Sequence, residues 1–397
     1  MRKLLLPFCF VTVAASAQQT IHSAMNGAAS SPLTWDCFCF PTPDDVVIID
    51  HNVTMDVDWA VTSGGRIEVS PGASLLEDAD RQLLIDGTGS QLINGGAIDF
   101  TDIAFTNGSE GSNSGQFTVG TALYFGGGTT FLNTGGINGS DSVLTEGTFT
   151  NSGFFTVGDF YNTGDFTNTG YLVADSMGNG GTFEANANYL LVGTFGNFGT
   201  FTLSNEGFME VEGDFLNTND FTIASGLQVF VGGNAWNGDT LGGAAEMLVD
   251  GALVVNGDYG NGDLTHGSGD ICVGGGSINV GQMTGSVDFC DATGSDFDQQ
   301  FGTVGMNVTF CTDGCNLETA EEATVTAELY PIPATTHLEI KSNAQFTRAT
   351  FYSLMGELVG TVDLDDNTIA LDGLGAGIYL VQLSGETTTR LFKVVIE

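Results

Sequence analysis

Four histidines, His22, His51, His266 and His337, are the side chains of this 397-residue chain whose ordinary pKa would let them carry protons near neutral pH. Their spacing matches neither a nucleophile–base pair nor a metal-binding motif. Carboxylates are abundant, and a pair of them could hydrolyse a glycoside. With so many aspartates, however, unsupported pairs arise by chance, and no catalytic residue is nominated. Enzymes that cleave acidic polysaccharides by elimination need cationic side chains to stabilise a carbanion. Here neither Lys nor Arg occurs between Arg81 and Lys341. The chain is therefore not expected to be an enzyme, with a carboxylate-pair hydrolase as the alternative.

Acidic residues number 48 against eight basic ones, a net charge of −40. That balance excludes charge-driven binding to nucleic acid or to an anionic membrane. Acidic surfaces keep a Gly-rich β-protein soluble and self-repelling. No cofactor is expected. Calcium would need about six to eight converging oxygens, which composition does not reveal. His266-Gly267-Ser268-Gly269-Asp270 resembles one unit of a calcium-binding repeat, but it stands alone and reads better as a corner turn.

Met1-Arg2-Lys3, the apolar run Leu4 to Val13 and Ala15-Ser16-Ala17 follow the order of a secretory signal peptide, residues 1–17, directing Sec export to the periplasm. No other segment approaches the roughly 20 apolar residues of a membrane helix, so no transmembrane anchor is expected. Beyond the signal stand six cysteines: Cys37, Cys39, Cys272, Cys290, Cys311 and Cys315. An even number in an oxidising compartment favours disulfides. Proximity in sequence favours Cys272–Cys290 and Cys311–Cys315. A Cys37–Cys39 bond would be strained if that segment is a strand.

The elements that carry these residues repeat. Val119-Gly120, Val157-Gly158, Val192-Gly193, Val211-Glu212-Gly213, Val231-Gly232-Gly233, Val255-Asn256-Gly257 and Val273-Gly274 recur with a period of about 19 residues, two of the steps being doubled. Between them lie phrases such as Gly147-Thr148-Phe149-Thr150-Asn151 and Gly164-Asp165-Phe166-Thr167-Asn168, which alternate apolar and polar residues like half-buried strands. A unit this short buries its apolar face only by stacking on neighbours. The expected fold is all-β: a right-handed parallel β-helix, or a related β-solenoid, over residues 25–315, with Phe stacked on Phe and Asn laddered at the corners.

An acidic linker, residues 316–328, leads to a module of different composition, residues 329–397, whose short alternating strands suit a small antiparallel β-sandwich. It contains Tyr330, Pro331, Pro333 and Ala334, then Gly356, then Gly377 and Tyr379, and finally Lys393. In this order the module resembles the type A C-terminal sorting domain of the Bacteroidetes type IX secretion system, with Ile332 where the family pattern has Asn. The entry segment, with Trp35, the Asp44-Asp45-Val46-Val47-Ile48 run and Gly72-Ala73-Ser74-Leu75, resembles the first coils of secreted β-helical proteins of Bacteroidetes. The resemblance implies handling by the type IX secretion machinery and a destination outside the cell or on its outer surface. A structural or adhesive role is expected there, with the acidic repeat meeting glycans, other cells, a mineral or a cationic surface.

Overall fold

The computed structural model describes residues 18–397 except 80, 140, 187–188, 206, 239–243, 295, 312–326, 332, 343–344, 354–357, 365–366, 372, 376, 386–388 and 397. The signal segment and the linker, apart from residues 327 and 328, lie outside the described residues.

Period-two alternation sets the basic strand. In Thr148–Asn151, Phe149 and Asn151 are buried while the threonines face outward. The same strand recurs as Asp165–Asn168, Thr182–Ala185, Thr200–Leu203 and Asp220–Ile223, each paired in parallel and residue for residue with the one before. Fifteen such strands form one sheet. Each leads round a corner into a longer strand bent at its middle, such as Phe154–Asn162. In the early coils, as in Asn52–Met55 and Trp59–Val61, and in the later ones, as in Phe208–Val211 and Phe215–Asn217, the long strand is divided in two. The result is a parallel β-solenoid of about 13 turns, beginning at Thr20, ahead of the expected residue 25.

The glycine markers of the sequence lie at the bend of the long strand. At Gly193 the reason is close approach: a Cβ there would sit 2.2 Å from the Asp175 carbonyl oxygen of the preceding coil. The two doubled steps arise because Gly139 stands at the Val place of one coil and Asp175 at the Gly place of another, so the Val-Gly pattern misses both.

Two kinds of ladder fill the interior. Phe131, Phe149, Phe166, Phe183, Phe201 and Phe221 stack in one column with centroids 4.9–5.1 Å apart. Each buried ring contributes about 1.5–3 kcal/mol by leaving water. Asparagines fully shielded from solvent line two corners. Asn94, Asn113, Asn133, Asn151 and Asn168 follow the first-sheet strand, each Nδ2 donating to the next Oδ1 at 2.7–2.8 Å. Asn162, Asn179, Asn197, Asn217, Asn237, Asn261 and Asn279 form a second ladder, at 2.8–3.0 Å, at the corner ending the long strand. Most of these amides also donate to a backbone carbonyl of the next coil, as Asn151 does to Tyr171 at 3.0 Å. Amides suit such a column because each carries both a donor and an acceptor, so identical neighbours satisfy one another.

The first ladder stops where Ala185 replaces asparagine. Asn168 accepts from Asn151, but its own Nδ2 is buried without a partner. The second ladder opens with Thr145, whose hydroxyl donates to Asn162 at 2.8 Å.

The entry coil is closed by Trp35, fully buried edge-on to Trp59 and donating from Nε1 to the Ala29 carbonyl at 2.9 Å. Beside it, Asp45 accepts from the backbone N–H of Gln19 and from both the backbone and hydroxyl of Thr42. Burial pushes the Asp45 carboxyl pKa up, but these donors together hold it below its ordinary 3.8.

The C-terminal module packs two antiparallel sheets on a core of its own. Ala327–Tyr330, His337–Ser342 and Thr368–Ala370 form one; Arg348–Ser353, Leu358–Asp363, Gly377–Ser384 and Thr389–Ile396 form the other. Leu338, Ile340, Phe351, Val381 and Val394 are buried between them.

Two outcomes test this account. Asn151→Thr should destabilise the solenoid by about 2 kcal/mol, because a buried donor to two acceptors is lost. Asn168→Thr should cost clearly less, since it keeps the acceptor and removes an orphaned donor; urea unfolding of the two variants gives the comparison. For Asp45, a depressed folded pKa means its stabilisation is fully present above the unfolded value, about 3.9, and is lost as pH falls through the folded value. The urea midpoint of the parent should therefore drop towards that of Asp45→Asn as the pH falls below about 4.

Candidate functional site

Three of the four histidines contact side chains of the neighbouring coil. His22 Nδ1 lies 2.9 Å from Asp50 Oδ2 and His266 Nε2 lies 2.7 Å from Glu246 Oε1. His51 comes 3.1 Å from the hydroxyl of Ser23, a juxtaposition of nucleophile and base that spacing did not suggest. The same Nδ1 lies 2.9 Å from the Ser23 carbonyl oxygen, which only accepts. Nδ1 therefore carries the hydrogen in this contact and cannot also take the Ser23 proton. His337, in the C-terminal module, is exposed, 3.9 Å from Glu339. The Ser268 turn is a corner, its N–H and hydroxyl both bonded to Asp250 of the preceding coil. Among the described residues no group of three or more His, Cys, Asp or Glu converges to hold a metal ion.

Cys37 and Cys39 are joined, with Phe38 at φ +54° folding the three residues back. The expected Cys272–Cys290 and Cys311–Cys315 pairs give way to Cys290–Cys311, whose Cα atoms are 4.6 Å apart. Cys272 is also disulfide-bonded, and Cys315 lies outside the described residues. The reason lies in register. Cys272 and Cys290 are direct partners on parallel strands, where neighbouring Cβ vectors run side by side rather than converging. Cys311 follows the strand Thr309–Phe310 in the next coil and has φ +50°, so its side chain turns out of the column towards Cys290.

Repetition of the surface is broken most sharply at Trp236. Its register partners are Leu216 and Gly260, and the indole lies flat over the latter. A Cβ at Gly260 would meet Cε3 at 2.0 Å, so only glycine admits the ring there. Trp236 Nε1 donates to the Gly238 carbonyl at 3.1 Å and fixes the ring. A cavity of about 400 Å³ lies on the Leu216 side and another of about 280 Å³ on the Ile278 side, both bordered by the ring. Along one flank, Asp214, Asn234 and Asp258 stand coil above coil. The Asn234 N–H donates to Asp214 at 2.8 Å, the Asp258 N–H to Asn234 at 2.9 Å and the Gly276 N–H to Asp258 at 2.7 Å. Asp298 follows, accepting from the Ser277 N–H at 3.2 Å. Sequence reading missed Trp236, because its significance depends on Gly260 lying opposite, in the next coil.

In the C-terminal module, Tyr330 ends the first strand, half exposed. Pro331 and Pro333 are exposed, and Ala334 is buried with its N–H on the Val395 carbonyl at 2.8 Å. Gly377 opens the strand containing Tyr379, whose hydroxyl donates to the Gly375 carbonyl at 2.9 Å. Lys393 pairs with Leu380 across the last two strands, and Gly356 lies outside the described residues. The motif thus spans both sheets. The module also touches the solenoid: the Tyr352 ring is 5.3 Å from Phe154, and Gln382 Nε2 donates to the Tyr171 hydroxyl at 3.2 Å. Burial, with Tyr171 adding to it, pushes the Tyr352 hydroxyl pKa up.

Residues 328–397 match a family model described as a secretion system C-terminal sorting domain. The chain thus carries a type IX sorting tail behind a β-solenoid. That tail implies handling by the type IX secretion machinery and a secreted or cell-surface location. No curated protein and no solved structure matches the chain. No helix among the described residues is long and apolar enough to cross a membrane.

The disulfide assignment is directly checkable. Cleavage before aspartates separates Cys290, Cys311 and Cys315 onto different peptides. Mass spectrometry without reduction should find the Cys290 peptide linked to the one containing Cys311.

Proposed function

We propose that this protein is a structural or adhesive component of the cell surface or its surroundings, delivered by the sorting tail and displaying the solenoid. The observation that carries this reading is the combination of a type IX tail with a solenoid whose surface carboxylates are used as structural acceptors. Asp214 and Asp258 are bound to backbone N–H groups of the following coil. A rod of this kind offers an extended, acidic and repetitive face suited to contact rather than turnover.

One observation favours the second reading, a glycan hydrolase. A methyl group placed on Gly276 would lie 3.1 Å from Asp298 Oδ2 and 3.6 Å from Asp258 Oδ1, so two carboxylates face each other near the Trp236 cavities. Glycoside hydrolysis is performed by two carboxylates flanking the bond, about 5 to 10 Å apart.

Deleting residues 328–397 should leave the solenoid in the periplasm of the producing cell, measured by fractionation. The full secreted chain should bind glycan arrays or cell surfaces without releasing reducing sugar. Release of oligosaccharide that disappears in Asp258→Asn would replace the adhesive reading with the hydrolytic one.

A further inference from the structure

Resting on the adhesive reading, the geometry points to the groove at Trp236 as the contact site, and to a neutral glycan as its ligand. Three features meet there. The indole is immobilised with one face on Gly260 and its Nε1–H bonded to Gly238, so the opposite face is a flat apolar surface already ordered before any ligand arrives. A pyranose presents a comparable flat C–H face, and stacking it on an aromatic ring buries apolar surface on both partners without desolvating hydroxyls. Cavities on both sides of the ring continue along the solenoid, so a chain of sugars can extend past the platform in either direction.

The flank supplies the polar half of recognition. Asp214, Asn234 and Asp258 rise in a column beside the groove and are pinned by backbone N–H groups. Each carboxylate has further lone pairs to accept from sugar hydroxyls. Because these side chains are already ordered, binding does not pay again for their immobilisation. Charge decides the class of glycan. With a net −40 on the chain and Asp214, Asp258 and Asp298 at the groove itself, uronate or sulfate polymers are repelled. A polymer of uncharged hexoses is not.

Tyr161 also lies over a glycine, Gly178, but neither of the cavities at Trp236 reaches it. Phe154 and Tyr171 stack on each other at 4.9 Å with an interplanar angle of 8°, spending a face of each ring on the other. Trp236 stands over a glycine instead.

The test uses the secreted full chain with soluble mannan, laminarin and hydroxyethyl cellulose as neutral probes and alginate as the anionic control. The chain has three tryptophans, and Trp35 and Trp59 are buried in the entry coils, so a change in tryptophan emission reports on Trp236. At least one neutral polymer should shift the emission, and alginate should not. Measured by affinity electrophoresis in the same polymers, because replacing the ring removes the fluorescent reporter, Trp236→Ala should weaken binding about tenfold or more. Gly260→Ala, which displaces the ring while keeping the tryptophan, should weaken it similarly, and Trp236→Phe should restore part of it. Parental thermal unfolding of the three variants confirms that the loss is local. Equal binding by Trp236→Ala and the parent, or binding to alginate or cells alone, overturns the groove assignment and leaves the adhesive reading standing. Silence towards every glycan and cell surface removes both.

Discussion

Every residue of the solenoid must tolerate its counterpart one coil away. Parallel in-register pairing sets those counterparts about 4.8 Å apart, and the rest of the architecture follows from that spacing. Rings of phenylalanine stack at this distance, and buried amides donate and accept in sequence. A column of buried charges could do neither, because like charges at that separation repel strongly where the dielectric is low. The chain therefore places neutral asparagine at its two interior corners. Its carboxylates lie mostly on the outside, many of them tied to backbone N–H groups of the next coil, and the buried Asp45 and Asp291 are each held by hydrogen-bond donors.

The same constraint explains what was legible in the sequence. The Phe-x-Asn phrases showed strand, burial and corner at once, because alternation with period two is local and every coil repeats it. Val-Gly pairs marked the bend from Val119 to Val273 except in the coils with Gly139 and Asp175, and were absent from the coils before it, as at Phe100-Thr101-Asp102. Like-on-like contacts between coils, Phe on Phe and Asn on Asn, were also legible, whereas contacts between unlike residues, which depend on the exact register, were not. Sequence proximity joined Cys272 to Cys290, yet that proximity is one coil's length and makes the two residues parallel neighbours. The hand-over between asparagine ladders, with Asn168 left holding an unpaired amide, was likewise hidden until Ala185 was placed opposite it.

In the C-terminal module the order of Tyr330, Pro331, Pro333, Ala334, Gly377, Tyr379 and Lys393 was enough to expect a sorting domain. These residues sit on turns and strands of one small sandwich whose core is separate from that of the solenoid. A module with its own core can be recognised whatever cargo precedes it. The tail accordingly carries the address, while nothing in its fold specifies what the solenoid does. The two parts meet through Tyr352 and Gln382, on an outward aromatic row of the solenoid.

Specific chemistry on a repetitive rod has to come from places where the repeat is interrupted, because an unbroken column presents the same group at every level. Trp236 is such a place. Its column runs through Tyr161, Gly178, Gly196, Leu216, Gly260 and Ile278, so the next ring in it, Tyr161 over Gly178, is four coils away. A large residue is admitted only because Gly260 leaves room beneath it, and that pairing gives the groove a single platform rather than a stripe. The carboxylates alongside belong to the regular corner ladder and were in place for structural reasons. One substitution in one column, over one glycine, is thus sufficient to turn an acidic structural edge into a two-sided groove, with an apolar floor and a polar wall.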